Sequence, residues 1–341
     1  MTGSDGASGN GHAAAAAPLA SVIVPAYESA TFVQDAIRSA LAQTCRDIEV
    51  IVVDDGSSDG TWEAILACAR SDPRVVPLRQ PRRSGPSAAR NLAAERARGR
   101  WLAVLDADDL FLPERLERMI AAAEAVGADL LADNLLETDF ATGQPLGRRF
   151  TDAEMAHAGP VSLIEAVRRD MPGLPGRGRF GFLQPIIRRD FLRRHRLRYA
   201  EDLHVGEDFL FYFECIARGA RFHLVPDAYY VYRLRAGSVS TNRAATLHLS
   251  AANRRMRRIA ARLGDRELLA LLRRRQQLID FDSFALLTER GCFGAALRYA
   301  HCTSLSRLLL HARVAFGAAR RRLRARLAAG APGAPTMAPR G

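Results

Sequence analysis

The sequence predicts an α/β fold, a mainly parallel, Rossmann-like sheet flanked by helices and followed by a helical C-terminal extension. Three observations carry this. Short apolar, β-branched runs alternate with helix-period stretches of about a dozen residues, the pattern of right-handed βαβ crossovers. The first run stops at Pro25-Ala26-Tyr27-Glu28, and two later ones stop in carboxylates, at Asp54-Asp55 and at Asp106-Ala107-Asp108-Asp109. The run before that last cluster, Trp101-Leu102-Ala103-Val104-Leu105, is apolar enough to be buried on both faces, as central parallel strands are. Open α/β sheets bind ligands at the carboxyl ends of such strands, so the chemistry is expected at that edge.

Taken in order, residues 1–18, rich in Gly, Ser and Ala, are expected to be disordered. A first strand at 22–25 leads to a helix at 31–43, and a second strand at 48–53 leads to a helix at 61–70 capped by Asp59. A third strand follows at 74–78, and Gly85-Pro86-Ser87 opens a helix to about residue 98, with Pro in its first turn. After the central strand come a helix at 113–126 and a strand near 129–133. Residues 138–182 hold many Gly, Pro and Arg around a helix at 162–169, and read as the insertion that shapes a second substrate's site. A strand at 182–187, a short helix at 190–196, a helix at 209–218 and short strands at 221–225 and 229–232 complete the domain, which spans 19–243. Its donor half is about 19–135 and its acceptor half about 136–243. An Arg-rich helical extension covers 244–329, and 330–341 is a disordered tail.

The 341 residues, 48% hydrophobic, can bury a sizeable core. No apolar run is long enough to span a bilayer, and the Ala-rich stretch at 13–20 lacks the basic leader of a signal peptide, so a cytoplasmic protein is expected. The five cysteines show no metal-ligand spacing and read as reduced thiols. The formal charge is +12 and all 49 basic residues of the Lys-plus-Arg count are Arg. They crowd the last third, whereas the acids crowd the strand ends. A nucleic-acid binder would interleave its Arg with aromatics, but the Arg-rich region is aliphatic and the expected cleft acidic, so no nucleic-acid partner is predicted. No G-x-G-x-x-G follows the first strand, which counts against a dehydrogenase.

Asp106 and Asp108 lie two apart, and on extended backbone would point the same way. Two hard oxygen ligands side by side suit Mg2+ or Mn2+, which is completed by water and substrate phosphate; the alternative is a solvated acidic cap of the following helix. Asp54-Asp55, followed by Gly-Ser-Ser-Asp-Gly-Thr, offers a carboxylate to a base's ring N–H, or merely a capped turn. Tyr27 offers a flat face for a base, or a core aromatic.

In this order and at these intervals, Val22-Ile23-Val24-Pro25-Ala26-Tyr27-Glu28, Val53-Asp54-Asp55-Gly56-Ser57-Ser58-Asp59-Gly60-Thr61, Gly85-Pro86-Ser87-Ala88-Ala89-Arg90-Asn91 and Leu105-Asp106-Ala107-Asp108-Asp109 resemble family 2 glycosyltransferases. The resemblance runs from residue 21 to about 240. It implies the GT-A fold, a nucleotide-sugar donor, a divalent metal and inversion at the anomeric carbon. Carried over, Tyr27 and Glu28 border the nucleobase, Asp55 takes the uracil, Asp106 sits near the ribose, Asp108 with Asp106 holds the metal, and Arg90 lies near the donor phosphates. Pro25, Asp54 and Ala107 belong to the same donor site. Gly206-Glu207-Asp208 resembles the family's acceptor-side motif and supplies the general base, Asp208 first and Glu207 as its rival; the bland reading is two acids at a helix N-terminus. Within the family, Asp133-Asn134, residues 180–186, 197–199 and 230–240 look like the glucosyltransferases of succinoglycan-type exopolysaccharides, which add glucose from UDP-glucose to a saccharide on a membrane polyprenyl diphosphate. Arg233 with Ser238 would then meet a donor or acceptor phosphate, or form an exposed turn.

Residues 304–327 hold no acid, while seven Arg accompany Leu, Val and Phe. That is the composition of a helix on an anionic membrane surface, and also of a packing helix with a solvated Arg face. A peripheral position on the inner face of the cytoplasmic membrane follows from the first reading. The competing functions are a sugar-phosphate nucleotidyltransferase, which would open with a Gly-rich loop after the first strand, and a non-catalytic nucleotide-sugar-binding scaffold.

Overall fold

Nine strands form one sheet in a computed structural model, which describes residues 17–156, 159–172, 179–235 and 243–299. The strands are β1 (Ala20–Ala26), β2 (Ile48–Asp54), β3 (Val75–Arg79), β4 (Trp101–Val104), β5 (Leu110–Phe111), β6 (Leu130–Asp139), β7 (Pro145–Arg148), β8 (Ile186–Arg188) and β9 (Phe222–Leu234). Their order is β3-β2-β1-β4-β8-β6-β9-β5, with β7 beside β6. The first four are parallel, as expected, and β2 is buried along its whole length, which explains its unbroken β-branched sequence. Ala26 pairs with Asp54 and Val104 with Ile23, so the residues that follow β1, β2 and β4 emerge at one edge. Beyond β4 the sheet is mixed, because β8 runs antiparallel between β4 and β6 while β6 and β9 are parallel.

The crossover helices are α1 (Val33–Leu41), α2 (Thr61–Ser71), α3 (Pro86–Arg96) and α4 (Arg115–Ala125). In α1 the buried residues Val33, Ala36, Ile37 and Ala40 recur at helical spacing and make one face against the sheet. Asp59 serves α2 from one residue before its Gly60 cap, accepting the Thr61 N–H at 3.0 Å. The second half adds α5 (Asp152–Met155), α6 (Leu163–Arg169), α7 (Arg189–His195) and α8 (Glu207–Ala217), then α9 (Leu249–Arg262), α10 (Arg266–Glu289) and α11 (Phe293–Leu297).

Three expectations need correction. The strand placed at 182–187 begins only at Ile186, behind a 3-10 turn at Phe180–Phe182, because Pro185 has no N–H to give a ladder. The two strands placed at 221–225 and 229–232 are one strand, β9; its pairing jumps from Ala132–Leu224 to Asn134–Ala228, so Pro226-Asp227 bulges out where the sequence shows a break. β4 ends at Val104 and the Asp109 N–H closes onto the Asp106 carbonyl at 3.0 Å, so Asp106 and Asp108 sit on a turn and not on extended backbone.

The helices of the C-terminal extension join the main core: Ala252, Met256, Ala260, Leu268 and Leu272 belong to the same buried cluster as Val22 and Leu102. A buried ion pair fastens them, with Arg275 of α10 donating to Asp170 Oδ2 at 2.5 Å while Asp170 Oδ1 accepts the Gly181 N–H at 2.9 Å. Ser238, residues 304–327 and both chain ends fall outside the described residues.

Candidate active site

The turn after β4 is the floor of the cleft. Asp106 accepts from Arg90 Nη2 at 2.9 Å through Oδ1 and from Gln184 Nε2 at 3.0 Å through Oδ2, and its own N–H donates to the Tyr230 hydroxyl oxygen at 3.2 Å. Gln184 arrives there because β8, antiparallel to β4, must begin where β4 ends. Its carbonyl is held in turn by Arg115 Nη2 at 2.5 Å, and Arg115 is locked to Asp133 by two hydrogen bonds, with both side chains fully buried. Asp109 points inward, accepting the Tyr230 O–H and the Arg233 N–H, each at 2.8 Å; burial first, then Asp108 and Asp106, push its carboxyl well above the usual range. Asp108 is half-buried, like Asp106, with Arg235 3.7 Å away and the Arg233 guanidinium on its carbonyl. Its carboxyl is raised by burial and by the neighbouring Asp106 charge.

That repulsion tests a cation site. Asp106 and Asp108 present hard oxygens close together, and burial with the Asp106 charge raises the Asp108 carboxyl, a condition a divalent ion relieves. Among the described residues there is no group of three or more His, Cys, Asp or Glu side chains that could hold a metal ion. The donor set therefore suits Mg2+ or Mn2+ bound through one or two carboxylates, with water and phosphate filling the remainder.

Along the same edge, the carboxylates after β1 and β2 first build the loops. Asp54 is buried, accepting the Ser57 N–H at 3.1 Å and pairing with Arg79 at 3.0 Å. Asp55 receives the Ser84 and Gly85 N–H groups at 2.6 and 2.8 Å and so fixes the entry to α3. Glu28, at φ 46°, accepts from the Ser58 N–H and hydroxyl. Gly56, at φ 72°, lets the Arg82-Arg83 backbone pass where a Cβ would stand 2.7 Å from the Arg82 carbonyl carbon. This close pass lays the Arg83 guanidinium 4.3 Å from the centre of the Tyr27 ring, which is 39% exposed. Pro25 and the buried Ala107 line the ends of β1 and β4 behind these groups.

The carboxylates in the first turn of α8 reach the floor through Arg90. Gly206, at φ 78°, starts α8, and Asp208 in its first turn accepts from Arg90 Nη1 at 2.8 Å, with Glu207 3.7 Å from the same nitrogen. Arg90 is 4% exposed and spans Asp106 and Asp208 with its two terminal nitrogens, so it lies between the two halves. Its neighbour Asn91 holds the segment before α8 by bonding both the N–H and the carbonyl of Tyr199, each at 2.9 Å. Burial raises the Asp208 carboxyl to about 8; Arg90 opposes this, while Glu207 and Asp106 add to it. Asp208 keeps 19% of its side chain exposed against 10% for Glu207, which makes it the better placed of the two to meet a substrate.

The structure thus brings Asp106, Asp108, Arg90, Glu207, Asp208 and Arg233 to one cleft, and sets Tyr27, Glu28, Asp54 and Asp55 along its edge. Gln184, Tyr230 and Arg235 join them without having been singled out for a role. For Gln184 the available signal was one amide inside the otherwise apolar run 180–187.

Residues 21–168 match the model of glycosyl transferase family 2. Succinoglycan biosynthesis protein ExoO of Rhizobium meliloti (strain 1021) is 41% identical over 223 residues, covering 65% of this chain and 63% of the relative. ExoU of the same strain, also a succinoglycan biosynthesis protein, is 35% identical over 229 residues, covering 66% and 65%. The chain spans just under two thirds of the length of these relatives. Among solved structures, S. aureus TarS 1-349 in complex with UDP-GlcNAc aligns with a TM-score of 0.58 at 23% identity, over 82% of this chain and 79% of that one. Mannosyltransferase PcManGT from Pyrobaculum calidifontis, in complex with GDP-Man and Mn2+, aligns at 0.56 and 20% identity, over 91% and 83%. At these identities the likeness is one of fold, the GT-A fold. The matched segment, residues 21–168, contains β1 to β4 with their acidic ends and runs nearly to the end of α6, so this part of the chain is a glycosyl transferase family 2 domain.

Proposed function

We propose that this chain transfers a sugar, glucose from UDP-glucose, with inversion onto a growing saccharide carried on a polyprenyl diphosphate, in exopolysaccharide biosynthesis at the cytoplasmic face of the membrane. The observation that carries the reading is Arg90, which joins the floor carboxylate Asp106 to Asp208 across the cleft. An inverting transfer needs a base facing the leaving group, and these two carboxylates lie on opposite sides of one guanidinium. The acceptor hydroxyl attacks the anomeric carbon, the bond from that carbon to the diphosphate oxygen breaks, and Asp208 takes the hydroxyl proton. A carboxyl near 8 is suited to that work, because a base titrating near the operating pH combines availability with proton affinity. Asp108 and Asp106 would hold a divalent cation, Mg2+ or Mn2+, which supplies charge neutralisation to the departing diphosphate. Tyr27 and Asp55 would border the base, and Arg233 and Arg235 the phosphates. The succinoglycan relatives favour the polymer class and, through it, glucose and the lipid-linked acceptor. Among the described residues no helix is long and apolar enough to cross a membrane, so the acceptor would be met at the surface.

The test is UDP release from a panel of UDP-sugars, with Mn2+, Mg2+ or EDTA, in the presence of lipid-linked oligosaccharides. Metal-dependent release with UDP-glucose, lost in Asp108→Ala and Asp208→Asn, is the expected result. Turnover that survives EDTA, or that prefers another donor, would overturn the corresponding part of the reading.

A further inference from the structure

A second concave site lies away from the cleft, among the C-terminal helices. It is a cavity of about 550 Å3 walled by α9, α10, the end of α11 and the 3-10 turn Arg243–His248. Arg254, Arg257 and Arg298 line it with His248, Ser250 and Tyr299. Its single carboxylate, Asp280, already accepts from Gln276 at 2.8 Å and has a further partner. Gln276 also donates to Ser250 Oγ at 2.8 Å, which leaves the Ser250 hydroxyl proton free for a ligand.

Most arginines of α9 and α10 other than Arg255 and Arg275 have guanidinium groups without a hydrogen-bond or ion-pair partner among the described residues, but Arg254, Arg257 and Arg298 are the ones that line this concavity, and Arg257 Nε is shielded from solvent without a partner. Like charges converging on one concavity repel, and an anion relieves that repulsion. Guanidinium forks joined by a hydroxyl donor match the several oxygens of a phosphoryl group better than a single carboxylate. Its wall continues the packing of α9 on α8: a Cβ on Gly206, which starts α8, would stand 3.1 Å from Leu249 Cδ2, and Ser250, next to Leu249, lines the cavity.

We infer that this cavity binds a phosphoryl anion, a phosphate or diphosphate group, through Arg254, Arg257 and Arg298 with the Ser250 hydroxyl. The inference stands apart from the transfer reaction proposed above, since binding is measured without donor or turnover. The test is calorimetric titration of the full chain with inorganic pyrophosphate and with farnesyl diphosphate, in EDTA at fixed ionic strength. Arg257→Gln and the double variant Arg254→Gln/Arg298→Gln, all at surface-facing positions, should weaken binding at least tenfold. Arg118→Gln, at an exposed position on α4, should leave it within twofold, and a thermal melt checks that each variant is folded. Equal binding of the two probes identifies a headgroup site open to free diphosphate, and tighter farnesyl diphosphate binding identifies a lipid-borne group; either supports the inference. Binding that the cavity variants do not change, or that is seen only with phosphatidylglycerol vesicles and not with soluble diphosphates, overturns it.

Discussion

Replacing Arg90 with Met keeps the apolar stem and removes the guanidinium that lies between Asp106, Glu207 and Asp208. Arg90 makes charge-assisted bonds of 2.9 and 2.8 Å to two of these carboxylates and is almost wholly buried, so its loss leaves desolvated negative charges unpaired. Breaking one side of a buried pair costs roughly 3–5 kcal/mol. The sign of the pH dependence follows from Asp208, whose carboxyl in the folded chain lies near 8, above the unfolded value of about 3.9. A carboxyl of that kind binds more protons when folded, so its contribution to stability falls as pH rises between the two values. Without Arg90 the remaining cluster is pushed up further, and the penalty is larger at pH 8 than at pH 5.5. Urea denaturation of wild type and variant at both values measures this. Adding Asp208→Asn to Arg90→Met should return part of the loss, with a coupling of about 1.5–3 kcal/mol for a hydrogen bond to a charged group. A penalty under about 1 kcal/mol that is equal at the two pH values, or a coupling near zero, would refute the bridge as the tie between the two halves.

The other outcomes concern chemistry and loop geometry. Turnover should rise with pH and level off above about 8 as Asp208 loses its proton, and Asp208→Asn should lower kcat by about 10²–10⁴-fold, flatten this profile and spare donor binding, as steady-state rates and a binding isotherm would show. Asp108→Asn should abolish the part of UDP-sugar affinity that EDTA removes from wild type, read by calorimetry with and without Mn2+. Gly56→Ala should destabilise by more than about 1 kcal/mol, because a Cβ at φ 72° would stand 2.7 Å from backbone that cannot yield cheaply; thermal melts report it, and quenching experiments on Tyr27 should show Arg83 displaced.

The donor half of the fold was legible because β1, β2 and β4 are buried almost throughout and α1 and α4 keep a regular apolar period. Residues 48–53, for example, leave no alternative to a central strand. The acceptor half was not. β8 has three residues, too few to show any period, and β9 carries a bulge at Pro226-Asp227 that looks like a chain break in sequence. The insertion of β8 between β4 and β6 depends on long-range pairing that no local pattern states. At the site, the Asp triplet stood out because an apolar run ends in it, and the Glu207-Asp208 pair because it stands after Gly206 just before the apolar helical run Phe209–Phe213. What could not be read was which carboxylate faces inward: Asp54 and Glu28 look as exposed in sequence as Asp108, yet they are spent on loop amides and on Arg79. Arg90 was visible as a charge in a small-residue helix, but its bridging place requires the 118-residue reach to Asp208.

The Asp170–Arg275 ion pair has a consequence for synthesis. β1 to β4 can assemble once about the first hundred residues have left the ribosome, but Asp170 must wait for a partner 105 residues further on. Until α10 emerges, the segment around Gly181 that leads to Gln184 lacks the clamp that sets it, and the buried carboxylate has no counter-charge. The acidic edge is thus ready early and the opposite wall late, so a nascent chain arrested near residue 244 would hold half a cleft beside an exposed apolar face of α8, a target for chaperones.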